Sequence, residues 1–330
     1  MHNLPPPTTQ RKEILVQKRN YILDTSPELT QKIRLVEKYR PDGTVNPAYP
    51  SRLLPYGQMP KSLFLIGEFP DPSGKTAAIV GARSCSAYGK AEARRFAAEL
   101  ASSGVQIISG MASGIDAWAQ KGALDVRGRT FSVLGCGVNV CYPRENYSLY
   151  REIAEGHGGL ISEFAPDALP ISWHFPIRNR IISALADIVL VVEARLKSGS
   201  LITADYALDQ GKTVYAVPGR NDDPLSQGCN RLIAQGAGIA TSPEVLLEEL
   251  GLAAPESKKR EKQERQLPPE WKKSEEFRKI FTGLNSREIS LADLQEKTGI
   301  EMPQLCQVLM QLCMSGYAEE AAPGYYRKTY

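Results

Sequence analysis

From Thr76 onward the chain alternates short runs of apolar residues with longer stretches whose apolar positions recur every three or four residues. TAAIVG (76–81), VQIISG (105–110), TFSVLG (130–135), IVLVVE (188–193) and TVYAV (213–217) predict strands. Helices are predicted near 88–103, 114–123, 145–155, 200–211 and 229–235. The strand runs are apolar at consecutive rather than alternate positions, so each strand must be covered on both faces. Such strands separated by helices build a mostly parallel, doubly wound sheet, an extended Rossmann-like α/β fold. Ligands of that fold bind outside the carboxyl ends of the strands.

The flanking segments are patterned differently. Residues 1–48 read as a polar, proline-flanked N-terminal extension with one helix-like piece around Pro27 to Tyr39. YPSRLLPYGQMPKSLFLIGEFP then makes an irregular approach to the core of a domain spanning 49–250. GLAAPESKKREKQERQLPPE (251–270) is charged and free of aromatics, the composition of a flexible linker. Residues 271–330 hold three helical patterns, SEEFRKIFTGL, SLADLQEKTG and MPQLCQVLMQLCMSG, followed by a segment suited to a hairpin. That is the layout of a small winged-helix-like domain.

Composition narrows the function classes. At 330 residues and 42% apolar content the chain can bury a full core. Its net charge is only +3, and residues 75–250 carry 17 Lys/Arg against 18 Asp/Glu. Any nucleic-acid site must therefore be a local cluster and not a basic face. The six cysteines form no CxxC pair, and none of the three histidines stands at metal-ligand spacing from a cysteine. Reduced thiols in a cytoplasmic protein without metal or cofactor are the expectation. The N-terminus lacks the apolar stretch of a signal peptide. The most apolar run, Ile181 to Ala194, is broken by Asp187 and Glu193, so no membrane span is expected.

Four strand-end segments carry the candidate chemistry. In GARSCSAYG (81–89), Gly81 ends a strand and Gly89 opens a helix, with Arg83, Ser84, Ser86 and Tyr88 between them. Exposed N–H groups and the helix dipole favour an anion at such a turn. An ordinary turn with a surface arginine fits the same residues. SGMASGID (109–116) repeats the arrangement with Ser109, Gly110, Gly114 and Asp116, although Asp116 could simply complement the helix dipole. FPIRNR (175–180) supplies Phe175, Arg178, Asn179 and Arg180, with Trp173 and His174 beside it as further flat surfaces. Guanidinium forks suit phosphates and aromatic faces suit bases, whereas buried aromatics and structural ion pairs are the bland reading. Finally Lys197 precedes SGSLIT (198–203), where Ser198, Gly199, Ser200 and Thr203 open the next helix. All four segments should converge at one edge of the sheet.

Signatures of cleavage are missing. SGKT (73–76) precedes its strand instead of following it and has Phe69 where a phosphate-binding loop needs glycine. GCGVNV (135–140) has Val140 at the third glycine of a dinucleotide fingerprint. No GxSxG motif, paired histidines or carboxylate cluster at metal-ligand spacing occurs. Glu163 and Glu193 could serve as acid or base, but nothing in the sequence activates a nucleophile beside them.

The series AIVGARSCSAYG, SGMASGIDAWAQ, VLGCGVNVCYPREN, FPIRNRIISALA, VVEARLKSGSLITA, VPG and GCNRLIAQGA resembles the bacterial DNA-processing protein A family (DprA, also called Smf) over about residues 49–250. The resemblance implies a non-enzymatic binder of single-stranded DNA without sequence preference. It also implies homodimers and loading of the RecA recombinase during DNA uptake and recombination. It assigns DNA contact to Arg83, Phe175, Arg178, Asn179, Arg180, Ser198, Gly199, Ser200 and Thr203. Arg178 and Arg180 would be phosphate clamps and Phe175 a stacking platform. Two features depart from the family pattern. Residues 1–48 lack the Gly-rich hairpin that many relatives carry, and Met302 to Gly316, the expected recognition helix, has no lysine or arginine. Such a helix suits a protein contact better than duplex DNA. The alternative is an enzyme on a related fold, a LOG-type nucleoside-monophosphate phosphoribohydrolase. Its PGGxGTxxE signature would fall where this chain reads KSGSLITADYAL, without PGG or the glutamate.

Overall fold

The computed structural model describes residues 20–252, 268, 271, 274–285 and 288–328. The expected linker at 251–270 lies almost entirely outside the described residues, as does the start of the N-terminal extension. The chain forms two compact units, 1–255 and 256–330.

The first unit is built on a nine-stranded sheet. Its parallel centre consists of β4 (Thr76–Val80), β5 (Gln106–Ser109), β6 (Thr130–Val133), β8 (Gly158–Ser162), β9 (Ile188–Val191), β10 (Thr213–Ala216) and β11 (Gly238–Ile239). β3 (Ser62–Gly67) and β2 (Arg34–Glu37) add antiparallel strands at one edge. The order is β11-β10-β9-β4-β5-β6-β8-β3-β2. β4, β5, β6 and β9 are buried at every position, as their continuous apolar runs require. Their side chains divide by strand parity: Ala78, Val80, Val189 and Val191 join one core with Phe131, and Ala77, Ile79, Ile188 and Leu190 join the other with Phe96.

Three readings of the pattern differ from the structure. The helix expected over Pro27 to Tyr39 is only one turn, α1 (Pro27–Thr30), before the chain becomes β2. In β2 Leu35 is exposed and Val36 buried, the alternation of an edge strand. Residues 20–48 are thus not a separate extension: β2 closes the sheet, and β1 (Ile22–Leu23) pairs with β7 (Val140–Cys141). β8 escapes notice because it opens with two glycines. There the backbones pass so closely that a Cβ at Gly159 would lie 1.9 Å from the Glu68 carbonyl.

The helices are α2 (Ala87–Ser102), α3 (Ile115–Asp125), α4 (Tyr147–Glu152), α5 (His174–Leu185), α6 (Gly199–Asp209), α7 (Gln227–Ala234) and α8 (Pro243–Glu249). The chain runs outward from β4 through β5 and β6 to β8, then returns along α5 to β9 on the other side of β4. The sheet therefore changes winding direction between β4 and β9, the place where this fold class opens a crevice.

The second unit contains α9 (Glu275–Gly283), β12 (Ile289–Ser290), α10 (Leu291–Thr298), α11 (Met302–Met314), β13 (Ala318–Ala322) and β14 (Tyr325–Lys328). The strands form an antiparallel sheet in the order β12-β14-β13. Ile280, Leu294, Leu305, Leu309 and Leu312 make its core. Ser274 and Ser290 cap α9 and α10 through their hydroxyls. Met310 and Met314 stand exposed on α11.

Candidate nucleic-acid interface

The carboxyl ends of β4 and β9 open into a cavity of about 420 Å³. All four strand-end segments reach it: Gly81 to Ser84, Ala112 with Asp116, Phe175 to Asn179, and Lys197 to Thr203. Arg83, Arg178, Arg195 and Lys197 bring four cations, against the single carboxylate of Asp116. Arg83, Arg195 and Lys197 are exposed, so their charges are available to a ligand at little desolvation cost.

α5 explains which member of FPIRNR faces the cavity. The segment is helical, so Phe175, Arg178, Asn179 and Ile182 fall at i, i+3, i+4 and i+7 and form one stripe. All four line the cavity. Arg180 is rotated about 200° from Arg178 at about 100° per residue. It is held on the opposite side by a two-pronged pair with Glu163, at 2.6 and 2.7 Å, and donates to the Gln58 carbonyl at 3.0 Å. The two arginines therefore do not form one clamp, and Arg180 does not line the cavity.

Arg178 is only 3% exposed. It donates to the Gly110 carbonyl at 2.9 Å and to the Val133 carbonyl. Burial pulls its pKa down to about 10, with the Asp116 charge opposing, so it stays cationic at neutral pH. Asp116 is pushed above the usual carboxylate range by burial, against the pull of Arg178 and the backbone N–H groups of Ala112 and Gly110. Its carboxylate accepts the Gly110 N–H at 3.0 Å. Arg178 and Asp116 thus stitch the β5–α3 loop to α5 and form a charged floor. At Gly114 in that loop, φ is +78° and a Cβ would lie 2.3 Å from the Ala82 carbonyl, so only glycine fits. Ser109 is buried and donates to the Ile79 carbonyl at 2.7 Å.

The two helix N-termini nearest the switch point are in different states. At α2 the place for an anion is already filled by Glu193, which accepts the Ser86 N–H at 2.9 Å and the Ser86 hydroxyl. Ser86 in turn caps α2 by accepting the Gly89 N–H at 2.9 Å. A Cβ on Gly89 would lie 2.3 Å from the Glu193 carboxylate. Gly81, Ser86 and Gly89 therefore shape the turn that presents Arg83, and Tyr88, half exposed, does not line the cavity. At α6, Ser198 is the cap, its hydroxyl lies 2.8 Å from that of Ser200, and nothing would meet a Cβ at Gly199 within 4 Å. The α6 N-terminus is open and borders the cavity. Thr203 is buried at the wall, and the Asn179 amide donates to the Gly199 carbonyl at 3.2 Å, tying α5 to α6.

Phe175 is partly covered. The Arg83 guanidinium lies 4.9 Å from its ring centre, and Tyr142 packs at 5.3 Å. Trp173 is 57% exposed, touching His174 edge-on. Both carboxylates considered as acid or base, Glu163 and Glu193, are engaged by Arg180 and Ser86. Among the described residues no group of three His, Cys, Asp or Glu could hold a metal ion. No helix among them is long and apolar enough to cross a membrane. Arg195 was not anticipated. Its signal was its position two residues past Glu193 in the same loop as Lys197.

A family model described as DNA recombination-mediator protein A matches residues 43–251. The chain belongs to that family. Protein Smf of Escherichia coli is 39% identical over 287 residues, covering 84% of this chain and 75% of its own. DNA processing protein DprA of Bacillus subtilis is 44% identical over 61% of this chain and 68% of its own. Among solved structures, DprA from Streptococcus pneumoniae aligns with a TM-score of 0.60 at 36% identity, over 67% of this chain and 76% of its own. DNA processing protein A from Helicobacter pylori, described for its single-stranded DNA binding mode, aligns at 0.57 with 31% identity. It covers 66% of this chain and 95% of its own. The matched span contains the whole cavity of this DprA/Smf relative.

Proposed function

We propose that this DprA/Smf chain binds single-stranded DNA through its backbone, without sequence preference, in the cavity between β4 and β9. The observation that carries the reading is the set of four cations beside the open N-terminus of α6, facing one carboxylate. Arg83, Arg195 and Lys197 take successive phosphates, and the α6 N-terminus takes one through backbone N–H groups. Arg178 supplies fixed positive potential from below. Phe175 and the exposed Trp173 offer stacking surfaces, which suit every base because every base has a π-face.

The reading extends to delivery. The chain acts as a cytoplasmic homodimer that loads RecA on the bound strand, in DNA uptake and recombination, and it is not an enzyme. Family membership and the described single-strand binding of the Helicobacter pylori relative support it. The engagement of Glu163 and Glu193 by Arg180 and Ser86 speaks against acid–base chemistry. α11, with Met310 and Met314 exposed, suits a protein partner within a winged-helix-like unit.

Titration of labelled oligo-dT and of duplex at two salt concentrations, with and without RecA, tests it. The expected result is preference for the single strand, steep weakening with salt, and faster RecA filament growth on strands carrying the protein. Equal affinity for duplex, or release of free base from AMP, contradicts the reading.

A further inference from the structure

Outside the cavity, the surface where α2 meets α3 carries two ammonium groups on one indole. Lys90 Nζ lies 5.9 Å and Lys121 Nζ 4.9 Å from the centre of the Trp118 ring. Among the described residues neither lysine has an ion-pair partner. The neighbouring carboxylates are taken: Glu92 pairs with Arg95 at 2.6 Å and Asp125 with Arg94. Two uncompensated cations sharing one half-buried aromatic repel each other, and a structural role would be served by one of them.

We propose that Lys90, Trp118 and Lys121 form a second contact for the same single strand, taking the nucleotides that leave the cavity past Arg83. This rests on the proposed function. The connection is set by the fold. α2 and α3 start at the carboxyl ends of the adjacent strands β4 and β5, the edge on which the cavity opens. Lys90 and Trp118 are each the fourth residue of their helix, and their N–H groups bond back to Ser86 at 3.0 Å and Gly114 at 3.1 Å. Ser86 ends the turn that presents Arg83, and Gly114 lies against the Arg83 carbonyl. Lys90 and Trp118 thus lie one helical turn beyond Ser86 and Gly114, the loop residues that flank Arg83. A phosphodiester ligand neutralises the two ammoniums while a base lies along the indole, the alternation of charge and π-face that suits single strands.

The test compares oligo-dT strands of about 5 and about 16 nucleotides, a range spanning known single-strand site sizes. Lys90→Ala/Lys121→Ala is measured against wild type and against Lys90→Arg/Lys121→Arg. The expected result is unchanged binding of the short strand by all three proteins. On the long strand the alanine variant loses the gain from length, and its slope of log affinity against log salt is shallower by about 1.4, two phosphates at about 0.7 each. The arginine variant keeps both. An alanine variant with the wild-type slope and length dependence overturns the second contact and leaves the cavity reading intact. Wild-type protein that binds neither strand overturns both.

Discussion

Arg83 and Arg178 bring the same charge to one cavity under different constraints. Arg83 is exposed with its guanidinium over the Phe175 ring, so in the proposed function removing it takes away a ligand contact and little packing. Arg178 is buried against the Gly110 and Val133 carbonyls and the Asp116 charge. Replacing it with alanine removes the partner of those groups at the buried floor of the cavity, and a loss of about 3 kcal/mol of stability is expected. Arg83→Ala should unfold at the wild-type midpoint in urea, and Arg178→Ala at a clearly lower one. The sequence shows that both residues are basic and near strand ends. It does not show their burial, because burial depends on how α5 packs across β5 and β6.

α5 shows how much of the site was legible. Phe175, Arg178, Asn179 and Ile182 carry helical spacing that is visible in the sequence, and it predicts the stripe that lines the cavity. Reading FPIRNR as the mouth of the following strand hides this, because Pro176 within a short segment resembles a loop; in the first turn of a helix a proline is tolerated. The spacing also separates Arg180 from the site. Convergence of the four segments followed from the strand-end rule, whereas filling of the α2 N-terminus by Glu193 is a long-range contact that local pattern does not encode. The N-terminal strands were missed for a similar reason: two-residue β1 draws its stability from partners far along the chain. One of these is the ion pair of Asp24 with Arg151 at 3.1 Å, joined by Tyr147. Burial pushes the Asp24 pKa up, but hydrogen bonds from Ser26, Tyr147 and Arg151 outweigh it and hold the group at about 2. A depressed carboxyl contributes stability above its ordinary value of 3.8 that is lost as pH falls through about 2. Asp24→Asn should therefore be less stable than wild type at pH 5, and the gap should close by about pH 2 in acid unfolding followed by circular dichroism.

For the whole molecule, a net charge of +3 conceals a concentrated field. Residues 75–250 are nearly neutral overall, yet the fold gathers cations from two loops and one helix at the winding switch and turns carboxylates such as Glu163 and Glu193 inward to structural partners. In the proposed function, local clustering makes binding electrostatic at one place, without a basic face that would attract duplex and single strand alike. In the proposed function the three exposed cations Arg83, Arg195 and Lys197 each neutralise one phosphate of a single strand. The salt dependence of oligo-dT binding by wild type and by Arg83→Ala/Arg195→Ala/Lys197→Ala tests this. In the triple variant the slope of log affinity against log salt should become shallower by about 2, from three phosphates at about 0.7 each, equally for strands of different sequence. A triple variant that keeps the wild-type slope and affinity contradicts it.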